Sequence, residues 1–292
     1  MRRSGDTLVS VRSKLLPLII GVFFLSLVSI FGRLLASVSG YINTLFGYSI
    51  VLLFTTLWWG MRYELTNIFP SKKRLDLLFL GLGQLGSAAF FLQAIRFIDL
   101  AVAGLLLYSA PLWIVLISLA MKTEHITRRI ILPLILGLMG VALVLGPQYA
   151  AQSSDIRAGA VLGLCAGVSY AISYIFARRI GGEVGTATIV FWAHAIGVAI
   201  LIPFLFISPP ISNNLSFLWW LGIGLSWTFG YFFLYHALKF IPAHRASIVA
   251  LFEPVFIVIW GALFFGEAMT VLSFVGGILI LAGVYQVNKS TK

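Results

Sequence analysis

Apolar residues fall in long runs along this chain, broken by short polar stretches. Neither the alternation of a half-buried strand nor the stripe of a soluble amphipathic helix organises them. The runs lie at about 15–35, 42–60, 75–95, 100–121, 129–147, 157–178, 186–208, 217–238, 243–265 and 270–288. Each approaches the ~20 residues an α-helix needs to cross a bilayer. The pattern predicts an all-α, polytopic membrane protein with ten transmembrane helices. The tightest connections are third to fourth, marked by Arg96 and Asp99, and eighth to ninth, marked by Lys239, Pro242 and His244.

The pattern also repeats. At an offset of 143, Phe90 falls on Phe233, Ala94 on Ala237, Arg96 on Lys239, Phe97 on Phe240 and Ile98 on Ile241. Farther on, Pro111 falls on Pro254, Ile114 on Ile257, Val115 on Val258, Glu124 on Glu267 and Gly140 on Gly283. At an offset of 145, Ile30-Phe31-Gly32-Arg33 falls on Ile175-Phe176-Ala177-Arg178. Two repeats follow, 1–147 and 148–292. Each holds five spans, so the second enters the membrane from the opposite side. Inverted repeats are typical of secondary transporters, whose substrate site lies near mid-membrane at the repeat interface.

Composition agrees with the runs. Hydrophobic residues make up 60% of the 292 and charged residues 10%, against roughly 45–50% and 25% in soluble domains. Mean hydropathy is +1.04. No soluble domain of useful size fits between the spans. The single cysteine, Cys165, rules out a disulfide framework and reads as a small packing residue. The basic N-terminus before an apolar run resembles a signal peptide, with Ser37-Val38-Ser39 as a conceivable cleavage site. Span length, the position of Arg33 and the spans that follow favour a first transmembrane helix instead.

A net charge of +11 would suit a nucleic-acid binder, but the basic residues are scattered over inter-helix loops. With the N-terminus inside, 17 of the 20 Lys and Arg fall on the cytoplasmic side, leaving Arg33, Arg96 and Arg157 outside. That bias follows the positive-inside rule. It predicts an integral plasma (inner) membrane protein with both termini cytoplasmic, embedded in lipid, monomeric or homodimeric, and without a nucleic-acid partner.

Ten spans in two five-span repeats, a proline in the fourth span of each, Glu253-Pro254, Phe265-Gly266-Glu267-Ala268 and the run Gly276–Val284 together resemble the drug/metabolite transporter superfamily, EamA type. The first copy departs at Thr123-Glu124, where Gly-Glu is commonest. The resemblance covers nearly the whole chain. It implies a ten-helix exporter of small metabolites, often amino acids, and says little about which one.

Glu253 is the one carboxylate expected deep within a span; Asp6, Glu64, Asp76, Asp99, Glu124, Asp155, Glu183 and Glu267 read as loop or interface. A charge at that depth costs roughly 2.5–3.5 kcal/mol on insertion scales. Desolvation disfavours the charged carboxylate, so Glu253 is a candidate for proton exchange during transport, or for holding a substrate amine. The plainer reading is a protonated side chain bonded to backbone that a neighbouring proline has freed. Pro254 and Pro111 leave the carbonyls of Ala250 and Leu107 without their helical donors, which makes the pair candidate hinges or simple shape-fitting kinks.

Polar and aromatic residues recur at helical spacing on several spans. Trp260 shares a face with Glu253. Trp227, Tyr231 and Tyr235 stripe the eighth span, and Tyr170 and Tyr174, beside Ser173, the sixth. Gln84 and Ser87 lie on the third; Tyr108 and Trp113 flank the kink of the fourth. One such stripe is ordinary packing or an interfacial belt. Several facing one another would form a pocket for a small amphipathic substrate, because buried phenol and indole groups need partners. His194, alone on the seventh span, reads as a packing histidine before a relay. Arg33 reads as a snorkelling interfacial arginine. The spacings Gly159/Gly163/Gly167 and Gly222/Ser226/Gly230 predict close helix approach.

The chain has no GxxxxGK[ST] loop, HExxH or CxxC motif, so neither nucleotide nor metal chemistry is indicated. No cofactor is expected. The expected activity is secondary transport of a small molecule by alternating access, of an amino acid or related amphipathic metabolite, with Glu253 as a candidate proton-coupling group. The alternatives are organic-cation or multidrug efflux and a lipid flippase. A membrane enzyme would need a clustered polar constellation that the sequence lacks.

Overall fold

The computed structural model describes residues 4–35, 37–62, 73–97, 100–122, 128–145, 156–206, 216–266 and 271–289. Among them every regular element is helical. In chain order the α-helices are α1 Ser4–Leu34, α2 Gly40–Arg62, α3 Arg74–Ala94, α4 Leu100–Leu107, α5 Ala110–Met121, α6 Ile131–Leu145, α7 Ile156–Ile180, α8 Thr186–Leu201, α9 Ser216–Leu238, α10 Ala243–Ala250, α11 Glu253–Phe265 and α12 Val271–Lys289.

Seven stretches of the described residues are long and apolar enough to cross a membrane: Leu15–Leu34, Gly40–Trp58, Arg74–Ala94, Arg157–Ile180, Thr186–Leu205, Ser216–Leu238 and Ala243–Phe265. Ala110–Met121 and Phe274–Gly283 are shorter apolar helices. The expectation of ten spans therefore leans, for the other three, on the shorter helices α4–α5, α6 and α12. Large apolar side chains such as Leu57, Phe79, Leu116, Leu132, Phe217, Phe264 and Phe274 stand exposed around the outside, where lipid rather than water suits them.

The run at 100–121 is not one helix. It breaks at Tyr108–Ser109, and the run at 243–265 breaks at Leu251–Phe252. The breaks are equivalent at the offset of 143 and share two of their hydrogen bonds. Ser109 N–H donates to Leu106 O (3.2 Å) and Leu112 N–H to Ser109 O (2.9 Å); Phe252 N–H donates to Val249 O (3.1 Å) and Val255 N–H to Phe252 O (3.1 Å). These i→i−3 bonds tighten the turn just where Pro111 and Pro254 remove a donor and crowd the preceding turn.

Packing follows the same exchange. α1 lies along α9 and α3 along α7; α2 meets α8, and α6 meets α12; α4 and α5 pack on α7, while α10 and α11 pack on α1. Exchanging first-repeat helices for their second-repeat equivalents maps this set of pairs onto itself. Two of the small-residue spacings work as expected. A methyl group on Gly167 would lie 2.6 Å from Leu106 O, and one on Gly230 2.7 Å from the Leu25 side chain, so neither helix could approach so closely with a larger residue. Cys165 does not pack inside as expected: it is exposed on α7.

At one end of the molecule the start of α3 meets the end of α7. Asp76 is buried there rather than lying in a loop, 3.5 Å from Arg179 and 3.9 Å from Lys73, which also reaches Glu183 at 3.2 Å. Arg178 Nη1 donates to the carbonyls of Leu238 (3.0 Å) and Lys239 (2.6 Å), closing the C-terminal end of α9. Arg33, at the end of α1, lies 4.7 Å over the ring of Phe265, at the end of α11. Glu64, Asp99, Glu124, Asp155 and Glu267 lie outside the described residues, as does the side chain of Asp6.

Candidate functional site

Glu253 opens α11, immediately after the second break. Its carboxyl is hydrogen-bonded by the hydroxyl of Tyr108, which sits in the first break. The two breaks thus meet side chain to side chain. Tyr170 and Tyr174 from α7 and Tyr231 from α9 lie near enough to feel the charge of Glu253. All four tyrosines are buried, whereas Glu253 is only half-buried and keeps an open flank.

Gln84 organises the other side of this cluster from α3, with its side chain wholly buried. Its Oε1 accepts from the Tyr235 hydroxyl (2.8 Å) and its backbone carbonyl from the Tyr48 hydroxyl (2.7 Å). Its side chain also bonds Tyr231. Ser173 bonds Tyr235 and donates to Tyr170 O at 2.8 Å. The Tyr170 and Tyr174 hydroxyls are 3.3 Å apart, and the Tyr231 and Tyr235 rings stack at 5.5 Å. Trp227 packs edge-on to Tyr48, with centroids 5.0 Å apart. Ser87 is buried one turn beyond Gln84.

Such a cluster needs explanation in energetic terms. A buried hydroxyl left without a partner costs about 1–3 kcal/mol, and here the phenols satisfy one another through Gln84. The residues come from both halves of the chain, so neither repeat forms the cluster alone.

Not every expected residue joins it. Trp260 lies two turns along α11 from Glu253, where its indole N–H donates to Ser26 Oγ on α1 (2.8 Å). Its ring packs with Phe23 at 5.6 Å and Phe256 at 6.3 Å. It belongs to an aromatic wall between α1 and α11. Trp113 donates to Ser109 Oγ at 3.1 Å and braces the first break. Pro111 and Pro254 sit just inside the starts of α5 and α11.

Two members were not singled out by the stripes. Tyr48 is the lone tyrosine in the middle of α2. His194, read as a packing residue, sits between Tyr48 and Tyr231, with centroids at 4.5 and 5.2 Å. Mid-span polarity was the only available signal, and it does not say which way a side chain faces. The described residues contain no group of three His, Cys, Asp or Glu placed to hold a metal.

Comparison with known proteins agrees with the duplicated architecture. The EamA-like transporter family matches twice, over residues 12–146 and 157–289. The chain belongs to the EamA-like transporter family. An "Uncharacterized transporter" of Archaeoglobus fulgidus is 31% identical over 86% of this chain and 91% of its own. The "Pseudopaline exporter CntI" of Pseudomonas aeruginosa is 27% identical over 69% of this chain and 70% of its own. A solved crystal structure superposes with a TM-score of 0.83 at 16% identity, over 96% of this chain and 99% of that one; that likeness concerns the fold alone. As an EamA-like transporter the chain is a membrane protein that moves a small molecule, and its broken helices and tyrosine cluster are to be read in that light.

Proposed function

We propose that this EamA-like transporter is a secondary carrier of a small amphipathic metabolite, amino-acid-related, working by alternating access across ten spans in two inverted repeats, 1–147 and 148–292. The substrate occupies the region around Glu253, Tyr108, Tyr170, Tyr174, Tyr231 and Gln84. The observation that carries this reading is the meeting of the two broken helices at the Tyr108–Glu253 hydrogen bond. Discontinuous helices at a repeat interface are where transporters of this architecture bind substrate. Both breaks are followed by a proline, so the half-helices can reorient without tearing a regular hydrogen-bond ladder.

Export fits the name of the Pseudomonas relative, an exporter. The meeting of the basic ends of α3, α7 and α9 supports a cytoplasmic face there, with both termini on that side of the inner membrane. Glu253 is the proton-exchanging group, because it is the carboxylate of the cluster and has an open flank. The test is reconstitution into proteoliposomes with a candidate metabolite panel and an imposed pH gradient. Wild type is expected to show substrate flux that responds to the gradient. Glu253→Gln is expected to lose that response. Gradient-sensitive flux through Glu253→Gln would remove the coupling role, and absence of flux for every substrate would remove the carrier reading.

A further inference from the structure

Away from the tyrosine cluster, two buried polar atoms have no partner, and they sit on helices that touch. Arg245 stands on α10, and its buried Nε has no hydrogen-bond acceptor among the described residues. Ser118 stands on α5, only 1% exposed, and its Oγ is likewise without a partner. α5 and α10 pack against each other. Val115 of α5 and Ile248 of α10 belong to one apolar cluster with Ile130 and Leu134. Ser118 lies one turn beyond Val115 and Arg245 one turn before Ile248, so each shares a helix face with its apolar neighbour. α5 leads away from its break and α10 leads towards its own. Both steps therefore run the same way, away from the point where Tyr108 meets Glu253. At 1.5 Å per residue, Arg245 lies about 10 Å from its break and Ser118 about 13 Å from its own, nearly level.

Nothing described around Arg245 supplies a counter-charge. α10 packs on α1, α5, α6, α7, α9 and α12, and none of these helices carries a described acidic side chain. The described acids are committed elsewhere: Asp76 and Glu183 to Lys73 and Arg179, and Glu253 to Tyr108. Lys122, which ends α5, and Arg128 and Arg129, which precede α6, add positive charge. A guanidinium can only donate, and burying such a donor without an acceptor is costly. A serine hydroxyl can donate as well. A carboxylate complements both groups, with two oxygens to accept from the guanidinium and the hydroxyl.

We propose that Arg245 and Ser118 form a second subsite, for the carboxylate of the substrate, in the mouth between the half-helices α5 and α10. α10 begins just after α9 ends, so this mouth lies at the face proposed above as cytoplasmic. The carboxylate is held there before the substrate reaches Glu253, eight residues farther along the same stretch. This rests on the carrier reading above and adds how its substrate enters.

The test uses the full chain in detergent, with sodium propionate as the carboxylate probe and sodium chloride at equal ionic strength. Propionate is expected to raise the unfolding temperature of wild type more than chloride does. Arg245→Gln should weaken the propionate response about ten- to hundredfold in concentration, and Ser118→Ala about threefold; gel filtration confirms that each variant is folded. Without propionate, Arg245→Met should unfold at a higher temperature than wild type, because a charge without a counter-ion has been removed. A lower temperature marks a structural arginine and overturns the proposal. Equal responses to propionate and chloride mean an inorganic anion only and overturn it, as does an unchanged response in folded Arg245→Gln or none in wild type. Glu124→Gln is the control for a counter-ion from the chain itself: a propionate response strengthened about tenfold in it overturns the proposal. Transport separates the subsite from the carrier reading. In proteoliposomes of fixed orientation, Arg245→Gln should raise KM about tenfold from the cytoplasmic face and less than about threefold from the other, with kcat within about threefold. Flux with unchanged KM keeps the carrier and sinks the subsite. An Arg245-dependent propionate response without flux of any substrate does the reverse.

Discussion

The two broken helices are the same backbone device carrying different chemistry. At Leu106–Leu112 and Val249–Val255 the chain makes the same pair of i→i−3 hydrogen bonds and then reaches a proline. Tyr108 stands where the second copy has Leu251, and Glu253 where the first has Ala110. Each break thus contributes one polar side chain, at non-equivalent positions, and the two bond each other across the repeat interface. The helices behind the breaks differ too. α4 and α5 press on α7 through Gly167, so closely that the Leu106 carbonyl would lie 2.6 Å from an added methyl. The equivalent of Gly167 in α1 is Val22, which is buried. There α11 meets α1 through Phe23, Phe256, Trp260 and Ser26. The first break rests on backbone contact and the second on side chains. Backbone contacts leave little room to slide. Side-chain contacts can rearrange by rotamer changes, which makes the α11 side the one expected to move.

That comparison can be broken most directly at its tight end. Gly167→Val should destabilise the protein by about 2–3 kcal/mol through overpacking, read as lowered thermal stability in detergent. Val22→Ala, at the equivalent place, removes two methyl groups and should cost about 1–2 kcal/mol. Equal costs would mean that the two breaks are packed alike.

The chemical asymmetry comes next. Glu253→Gln should lower transport about ten- to hundredfold, as loss of a charged hydrogen-bonding partner does, while Ala110→Ser should change it less than about threefold. Measured in one proteoliposome assay, similar losses at the two positions would show that the breaks share the work. A smaller effect is expected at the bond that joins them. Tyr108→Phe removes one hydroxyl and should cost about 1 kcal/mol, a several-fold loss of substrate affinity.

The smallest effect is at the far ends of the half-helices. α11 ends at Gly266 with φ 65°, whereas α5 ends at Lys122 with φ 52°. A residue with a Cβ pays about 1 kcal/mol or more in that conformation. Lys122→Gly should therefore raise stability by up to about 1 kcal/mol, and Gly266→Ala should lower it by a similar amount, both read by thermal unfolding.

Much of the frame was legible in one dimension. Apolar runs of span length can do little in a bilayer except form helices that satisfy their own backbone, and matched Pro, Gly and basic residues at one offset exposed the duplication. Pro111 and Pro254 marked both breaks because proline's missing donor is a local property. Tyr231, Tyr235, Tyr170, Tyr174, Gln84, Tyr108 and Glu253 were marked as polar residues inside apolar runs, since burying them has a cost that packing must offset.

Which of these residues face one another is a different kind of information. Trp260 and Glu253 share a helix face by spacing, yet only the placement of α1 turns Trp260 toward Ser26 and only the first break brings Tyr108 to Glu253. Tyr48 and His194 look like isolated polar residues until α2, α8 and α9 pack together. Helix formation in lipid follows from each segment's own hydrogen bonds. Partnership across helices follows from packing among segments that are about equally apolar, and in that respect a one-dimensional pattern does not distinguish them.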